Sequence, residues 1–482
     1  MNTRNLNNSR PLDVYRWSDF PEVNNFVDNI FSNYFSDFTN KKTKKHLKVI
    51  LLDLYLCWLE DEEKSLGVGM SNSSYDFRSR YNSLHLSNHM ILVVRRLYDR
   101  GLIGLWKGAE WSGKTTRVWA SESLVKAFQE AAIDQFMVVS HEDRETVILR
   151  DNEKKLIEYR DDELTETDAA KVQKMRELLK EYNDALHNTF IDIPTLDKGY
   201  IENLKSGRDE VRHSISHHHK FVYRVFNNGS FTQGGRFYGG WWQNIPKAYR
   251  KDIFIDDQST VEIDFKAIHI KLLYAQLGLE LEEELRGDDA YTIAIPFTDD
   301  EEEARQIAKM LLLICINAKD EQSALKAFRS ELVNLGYGKV GLRDKDLTPL
   351  IQSLKDKHPK IQSSFCSNAG IHLMNIDAEI AALVLEDCLY FNLLPLIIHD
   401  SFIINSLEEE QLRQFMNDAV TRVVSSTSVQ TSLIKNNDLY ASEFRAEEIE
   451  RIKTTRYKHN LNIWNKLERS RKLYYYEGFI PE

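Results

Sequence analysis

The sequence has little glycine and proline, with 20 and 9 residues among 482, and this scarcity excludes a collagen-like or linker-rich chain. Its four cysteines are far apart and form no CxxC pair, so neither a zinc ribbon nor a disulfide framework is expected. It has no apolar run of about 18 residues and no apolar leader at its N-terminus. We therefore expect no membrane span and a cytoplasmic location.

The sequence also lacks an excess of positive charge. It has 63 Lys and Arg against 74 Asp and Glu, a formal charge of −11. Proteins that bind nucleic acid through phosphates usually carry a basic face, but the distribution of charge matters more than its sum. The composition therefore excludes only a uniformly basic coat. The 42% hydrophobic content predicts a globular chain of about two to four subdomains.

Residues 1–130 have the order helix, helix, β-hairpin. Helical spacing of apolar residues predicts helices over 42–59 and 87–98, with Ser87 as the N-cap of the second. Gly101 suits the left-handed residue that ends a helix. Two short strands, near 102–107 and 115–120, follow with a turn-rich loop between them, and residues 121–129 would form a closing helix. This order predicts a winged helix-turn-helix domain.

Winged helices often place their second helix in the DNA major groove and the wing against the backbone. The positive side chains on the second helix and wing therefore predict DNA or RNA contact. They are Arg95, Arg96, Lys107, Lys114 and Arg117. The alternatives are protein contact or simple packing on the rest of the chain.

Residues 131–220 are strongly charged with helical spacing, notably over 163–188, and predict a helical connector or a small thumb. His213 and His217–His219 lie at their end. Zinc needs further ligands of fixed geometry that this run lacks, so phosphate contact or a solvated loop is favoured. The rest of the chain, residues 221–482, ends in a tail over 441–482 rich in Lys and Arg. This tail predicts either nucleic-acid contact or a solvated amphipathic helix.

Two aspartates stand at places that favour metal binding. Asp264 follows a β-branched stretch and precedes a helical one, which places it near the end of a strand. Asp400 lies in the turn between two apolar stretches that predict a hairpin. Two carboxylates on neighbouring strand ends can hold a pair of Mg²⁺ ions for phosphoryl transfer. Taken singly, Asp264 could instead be a helix cap and Asp400 an ordinary turn residue.

A third feature is a helix predicted from residue 301. Arg305 and Lys309 are four residues apart on it and share one face. Two cations on one helix face can neutralise the triphosphate of a nucleotide. The alternative is helical pairing with Glu301 and Glu302.

Five stretches between residues 234 and 405 resemble, in the same order, motifs of the family A DNA polymerases and the single-subunit phage-type RNA polymerases. They are Gly235-Arg236 with residues 243–246, residues 262–274, residues 288–294, Arg305 with Lys309, and residues 398–402. The resemblance implies an α+β right-hand polymerase with an antiparallel palm sheet, helical fingers and a small thumb, preceded here by the winged helix-turn-helix. The partners it implies are a DNA or RNA primer–template and nucleoside triphosphates; protein partners are not indicated.

The resemblance also implies roles for single residues. Asp264 and Asp400 would be the catalytic residues and the Mg²⁺ ligands. The nucleotide would be bound by Arg305, Lys309 and His269. The primer–template would be bound by Arg236, Gln243 and His399.

The chain departs from the family pattern at two places. Where motif B of the family has an aromatic residue followed by Tyr-Gly, this sequence has Leu313, Asn317 and Ala318. His269 stands where the DNA enzymes have a glutamate that excludes the ribose 2′-hydroxyl. The preferred interpretation is a DNA-directed DNA polymerase of atypical family A kind. The alternatives are a single-subunit RNA polymerase, a template-independent nucleotidyltransferase, or a non-catalytic nucleic-acid-binding replication or defence factor.

Overall fold

A computed structural model describes residues 4–40, 42–108, 115–203, 211–340, 342–424, 431–433 and 452–477. The described chain is mixed α and β, with two large hydrophobic cores and one small one. The first large core draws on residues between Leu12 and Val138 and defines an N-terminal unit. The second draws on Tyr81 and on residues between Val147 and Val420, and defines a larger body. Within the described ranges, no helix is long and apolar enough to cross a membrane.

The N-terminal unit consists of four helices around a small sheet. The helices are α1 (Pro21–Tyr34), α2 (Lys42–Glu60), α3 (His89–Asp99) and α4 (Glu122–Glu130). The strands are β1 (Ser9–Pro11), β3 (Ser65–Val68), β4 (Ile103–Trp106) and β5 (Thr116–Ala120), in the sheet order β1-β3-β5-β4. A further strand, β2 (Arg16–Trp17), pairs with β6 (Val139–Ser140). Most of α2 is buried on all sides, so it is the central helix of this core.

The two predicted helices, the antiparallel β4–β5 hairpin and the closing helix are confirmed. Helix α3 begins at His89, and Asn88 in the cap position makes no side-chain cap bond. The hydroxyl of Ser87 accepts a hydrogen bond of 3.4 Å from the His89 amide, so Ser87 contacts the start of the helix from one position before the assigned cap. The Ser87 amide donates to the ring of His46 on α2 at 3.0 Å. Gly101 has a φ of 70°, as the left-handed helix end requires.

The larger body is built on a sheet of short antiparallel strands. Its strands are β8 (Ile191–Asp192), β13 (Phe254–Ile255), β14 (Gln258–Phe265), β15 (Leu396–Ile398), β16 (Ser401–Asn405) and β17 (Thr431–Leu433). The order is β15-β16-β14-β13-β8, with β17 also paired to β14. A second sheet has the order β12-β11-β7, from Ser230–Tyr238, Tyr223–Asn227 and Val147–Leu149. A separate hairpin joins β9 (Tyr200–Asn203) to β10 (Val211–Ser214).

Helices cover these sheets. They are α5 (Glu166–His187), α6 (Lys247–Arg250), α7 (Ile268–Ala275), α8 (Leu281–Glu284), α9 (Glu301–Asn317), α10 (Glu321–Asn334), α11 (Asp344–Lys357), α12 (Gly370–Tyr390), α13 (Glu409–Val423) and α14 (Thr455–Glu477). Among them α12 packs on β12, α13 and α5, while α9, α10 and α11 pack together.

The core of this body is continuous across residue 220. Strand β7 pairs with β11 and strand β8 with β13, so residues 131–220 contribute to both sheets as well as supplying α5. Whether residues 131–220 act as a connector or a thumb is not tested by these contacts, so this role stays a prediction. The third, small core joins Phe136 and Phe190 to Tyr457 and Trp464 of α14, and so fixes the C-terminal helix against both units.

Candidate active site

The sheet register brings the two predicted metal ligands to one edge. Strands β14 and β16 are antiparallel, and Asp264 on β14 lies opposite Ser401 on β16. Asp400 precedes Ser401 in the two-residue turn of the β15–β16 hairpin, where His399 takes a left-handed φ of 54°. Two acids that are far apart in sequence therefore meet at the end of two paired strands. We refer to Asp264 and Asp400 as the carboxylate pair.

Charge at the carboxylate pair is concentrated enough to disturb its protonation. Burial, together with the negative charges of Asp400 and Glu262, raises the pKa of Asp264 from 3.8 to about 7, although Lys309 and Lys247 act in the opposite direction. Neighbouring carboxylates repel each other when both are ionised, so a cation that binds between them is favourable. The donors are carboxylate oxygens, which Mg²⁺ prefers.

Glu262 is a third acid at this edge, and sequence reasoning assigned it no role. Its Oε1 is 3.2 Å from a guanidinium nitrogen of Arg250 and accepts a hydrogen bond of 3.0 Å from the hydroxyl of Ser401. The period of two along β14 places it on the same face as Asp264, which is a signal that the sequence does carry. Over the described ranges, no group of three or more His, Cys, Asp or Glu side chains is arranged to hold a metal ion. Any metal here would therefore rely on the carboxylate pair and on oxygens from substrate.

Arg305 and Lys309 lie on one face of α9, as predicted. The Arg305 guanidinium is 5.2 Å from the centre of the Tyr291 ring, and the Lys309 ammonium is 5.9 Å from the same ring. Arg305 pairs with Asp289 at 2.9 Å, so the alternative of pairing with Glu301 or Glu302 was wrong for it.

Lys309 is exposed and lowers the pKa of Asp264, so its charge acts on the carboxylate pair. The cationic face of α9 is thus beside the acids.

Arg236 and His269 are brought together by a residue that sequence reasoning missed. Both contact Asp377 on α12, a carboxylate with only 3% of its surface exposed. The His269 Nε2 atom is 2.8 Å from Asp377 Oδ2 and 3.2 Å from a guanidinium nitrogen of Arg236. Burial lowers the pKa of Arg236, but the hydrogen bond to Asp377 and the negative charges of Asp377 and Asp400 outweigh burial. The pKa of Arg236 is therefore raised. No local pattern on α12 marks Asp377, because its partners are 108 and 141 residues away.

Gln243 and His399 lie at the base of the same hairpin. The amide of Gln243 donates to the carbonyls of Phe237 and Ile397 at 3.2 and 3.0 Å, and its oxygen accepts from the Gly239 amide at 3.0 Å. Gln243 thus fastens the turn after β12 to β15.

The His399 ring packs edge-on against Tyr238, with centroids 5.4 Å apart, and burial lowers its pKa. The predicted contacts of Gln243 and His399 with primer–template stay predictions.

The predicted DNA-binding side chains of the N-terminal unit differ in exposure and in ion pairing. Arg95 is exposed and lines an open cleft of about 440 Å³ beside residues 70–72. Arg96 is paired with Asp37. Lys107 is exposed, whereas Lys114 lies outside the described residues.

Arg117 in β5 is directed back to the chain. Its guanidinium donates to the carbonyl of Thr115 at 2.9 Å and to that of Leu6 at 3.4 Å. Burial lowers the pKa of Arg117. Arg95 and Lys107 are therefore the members of the predicted set that face solvent within the described part of this unit.

Of the two alternatives for the histidine run, the solvated loop is wrong for His217–His219, and phosphate contact stays a prediction. His217–His219 form one short 3₁₀ turn. His218 is buried, and its carbonyl accepts from Arg16 at 3.0 Å. His219 contacts Glu60 of the N-terminal unit at 2.7 Å. The run is a joint between the two units.

The basic tail is also partly buried where it is described. Lys453 pairs with Asp257 at 2.9 Å, and Arg456 makes a two-pronged contact with Asp192 at 2.7 and 3.0 Å. These two side chains hold α14 to the body instead of facing nucleic acid, so the expectation was wrong for them. Residues 478–482 and 434–451 lie outside the described ranges.

Comparisons with known proteins give little support beyond this geometry. No protein-family model matches the chain, and no curated protein matches it. Among solved structures, it is similar to the POL domain of Pol1 from M. smegmatis in complex with DNA primer-template and dNTP, with a TM-score of 0.27 and 11% identity. The match covers 86% of this chain and 65% of that one, which is less than two thirds of its length. A similarity this low identifies neither a fold nor a family.

Proposed function

We propose that this chain is a DNA-directed DNA polymerase of atypical family A kind, acting by a two-metal mechanism. The single observation that carries the proposal is the pairing of β14 with β16, which sets Asp264 beside the Asp400 turn. The raised pKa of Asp264 supports it, because a cluster of acids that resists ionisation is stabilised by divalent cations. The resemblance of residues 234–405 to family A motifs supports the choice of reaction.

In the proposed reaction the 3′-hydroxyl oxygen of a primer attacks the α-phosphorus of a nucleoside triphosphate. A new P–O bond forms between the 3′-oxygen and the α-phosphorus, the bond from that phosphorus to pyrophosphate breaks, and the hydroxyl proton passes to water. Asp264 and Asp400 would hold two Mg²⁺ ions, which when bound stabilise the attacking and leaving oxygens. Lys309, whose charge acts on Asp264, would neutralise the leaving group, and Arg305, on the same face of α9 and paired with Asp289, would assist it.

The roles of the remaining side chains are proposals of the same kind. Arg236 and His399 lie next to the carboxylate pair and would contact the primer end, and His269 would face the nucleotide sugar. Deoxyribonucleotides are our preferred substrate. An RNA polymerase or a template-independent transferase remains the alternative, because α9 ends at Asn317 where the family has an aromatic side chain near the template base.

The experiment is primer extension with purified chain, labelled primer with or without template, Mg²⁺, and either dNTPs or NTPs. We expect extension that needs template and dNTPs. Extension with NTPs would select the RNA polymerase, and extension without template the transferase. No extension in any mixture would contradict catalysis and leave the non-catalytic binding factor. Asp264→Ala and Asp400→Ala should each abolish extension, whereas Asp418→Ala, at an exposed position on α13, should retain it.

For the N-terminal unit we propose a winged helix-turn-helix that binds DNA through α3 and the β4–β5 hairpin. The sequence of helices before a hairpin and the exposure of Arg95 and Lys107 support this. Arg95→Ala should weaken duplex binding, with about tenfold lower affinity in a gel-shift assay at low salt. Unchanged binding by Arg95→Ala and Lys107→Ala together would contradict this docking face.

A further inference from the structure

A cleft of about 320 Å³ lies where the N-terminal unit meets the larger body. One wall is formed by residues 7–10 and Lys64 of the N-terminal unit. The other is formed by residues 211–214, His219 and the turn that contains Trp241. We refer to this feature as the interunit cleft. Neither the carboxylate pair nor any of the predicted DNA-binding side chains lines it.

The side chains that line the interunit cleft carry charge of one sign. Arg10, Lys64 and Arg212 are its cations, and no carboxylate is found among the described residues of its lining. Amides and hydroxyls supply most of the remaining polar surface, including Asn7 and Ser9. A concave surface with cations and neutral hydrogen-bonding groups fits an anion with many acceptor atoms.

Buried acids stand behind these cations and fix them. Arg10 pairs with Asp53 at 2.8 Å, and Arg212 pairs with Asp61 at 2.9 Å. Lys64 lies 3.5 Å from Glu60. The three acids are almost fully buried, with 0% of Asp53, 7% of Asp61 and 6% of Glu60 exposed.

At Arg10 and Lys64 the arrangement is layered, with negative charge inside and positive charge towards the cleft. Arg212 differs, because it also pairs with Glu63 at 2.9 Å and lies 3.9 Å from Glu202, and both of these acids are exposed. The pairs reduce the net positive charge, but they also hold each cation in place. An anion that enters therefore meets side chains whose conformational entropy is already reduced.

A further donor stands at the cleft wall. Trp241 lines the cleft and is 2% exposed, and in the described part of the chain its indole Nε1 atom has no hydrogen-bond partner. An indole N–H can only donate. A buried donor without an acceptor costs free energy, and an acceptor oxygen that reached this atom would remove the cost. An oxygen-rich anion would thus suit the indole as well as the cations.

The interunit cleft is one short turn away from the candidate active site. Trp241 begins the 3₁₀ turn Trp241–Gln243, and Gln243 bonds to the Ile397 carbonyl on β15, whose hairpin carries Asp400. Trp241 and Trp242 are buried within this turn, whereas Asn244, directly after it, is exposed and lines the cleft. A strand that continued from the carboxylate pair would therefore enter the cleft past Asn244. A free phosphate or nucleotide would gain nothing from that continuity.

We propose that the interunit cleft binds the phosphate groups of a nucleic-acid strand that extends from the active site. The identification of the ligand as a strand rests on the proposed function, whereas its anionic chemistry rests on the cleft alone. The cleft draws on both units, so strand binding would also join the N-terminal unit to the larger body.

The test changes charge in the cleft without removing a buried ion pair. Asn7 is exposed on the cleft wall, so Asn7→Asp adds a negative charge and Asn7→Lys a positive one. Asn334→Asp, at an exposed position on α10 outside the cleft, is the control with the same change in net charge. All variants are built on the full chain carrying Asp264→Asn and are measured in EDTA, so that no catalysis is needed.

The readout is the fluorescence anisotropy of a labelled single-stranded oligonucleotide at low and moderate salt. We expect Asn7→Asp to weaken binding about fivefold and Asn7→Lys to strengthen it, with Asn334→Asp unchanged, since a unit charge acts over about 6 Å on the ligand. Equal affinity for all variants, or no oligonucleotide binding by any of them, would overturn the proposal. Competition by millimolar inorganic phosphate as effective as by oligonucleotide would assign the cleft to free phosphate and overturn the strand.

The outcomes separate the two proposals. The expected order of oligonucleotide affinity is Asn7→Lys highest, then the unchanged chain, then Asn7→Asp. If primer extension fails but this order is observed, the polymerase function is wrong and the proposal for the cleft stands. If extension succeeds and the order is absent, the cleft is wrong and the function stands.

Discussion

Replacing Asp264 by Asn should stabilise the metal-free protein while abolishing the primer extension that we propose for it. Burial and the charges of Asp400 and Glu262 raise the pKa of Asp264 from 3.8 to about 7. A carboxylate whose pKa is raised on folding binds protons more tightly in the folded chain. The free energy of unfolding therefore falls as pH rises from about 4 to about 7, and it stays low above that.

The size of the effect follows from the same numbers. A rise in pKa from 3.8 to about 7 corresponds to at most about 4 kcal/mol of lost stability at alkaline pH. Asn removes the charge but keeps a polar amide whose burial has its own cost, so about 2 kcal/mol of gain is expected. For a large body this is on the order of 4 °C in the melting temperature.

The assay is thermal melting of the unchanged chain and of Asp264→Asn in EDTA between pH 5 and pH 8. The variant should melt higher at pH 8, and the difference should shrink towards pH 5, where the carboxyl of the unchanged chain is protonated. Asp418→Asn, at an exposed position on α13, should melt like the unchanged chain at every pH. Adding Mg²⁺ should raise the melting temperature of the unchanged chain more than that of Asp264→Asn. An Asp264→Asn protein that melts lower than the unchanged chain at pH 8 would refute the reasoning, because the acids would then not be repelling one another.

Three further changes test the surroundings of the site. Lys309→Gln should raise KM for the nucleotide about fivefold with a smaller change in kcat, because a single exposed cation contributes roughly 1 kcal/mol to binding a triphosphate; steady-state extension rates would show it, and an unchanged KM would remove Lys309 from the nucleotide site. Asp377→Ala should lower the free energy of unfolding by about 3 kcal/mol, because Arg236 loses its buried partner; urea denaturation measures this, and a loss below about 0.5 kcal/mol would mean that the pair is open to solvent in solution. Arg456→Met should release α14 and expose Trp464, seen as a red shift in tryptophan fluorescence, whereas Lys458→Met, at an exposed position on the same helix, should leave the spectrum unchanged.

Elements defined by local signals were predictable from the sequence. The spacing of apolar residues located α2 and α3, and a left-handed glycine located the end of α3. The strand before Asp264 and the hairpin around Asp400 were also predicted from local pattern. That the two acids meet was an expectation from resemblance, since only the register of β14 on β16 places them together.

What could not be predicted are the partners of charged side chains. Arg456 was assigned to a basic tail, but it pairs with Asp192 at a separation of 264 residues. For the His217–His219 turn the sequence left phosphate contact or a solvated loop open, yet Arg16 donates to it from 202 residues away. The sequence pattern around a charged residue is the same whether its side chain faces water or pairs with a buried partner. The distinction depends on the three-dimensional arrangement, because burial of an ion is tolerated only when the partner is present.

The site residues predicted from resemblance likewise fall into two groups: cations that face solvent and cations that pair with a buried acid. Lys309 is exposed and its charge acts on Asp264, whereas Arg236 is held against buried Asp377. The Arg236 side chain is 17% exposed, so a primer phosphate could reach its outer edge without breaking that pair. Arg236→Lys, which keeps the charge but loses the planar fork, should therefore lower kcat more than it raises KM for nucleotide, because it loosens Asp377 and His269 together. An effect on KM alone would instead mean that Arg236 meets the nucleotide directly and that its contact with Asp377 breaks on binding.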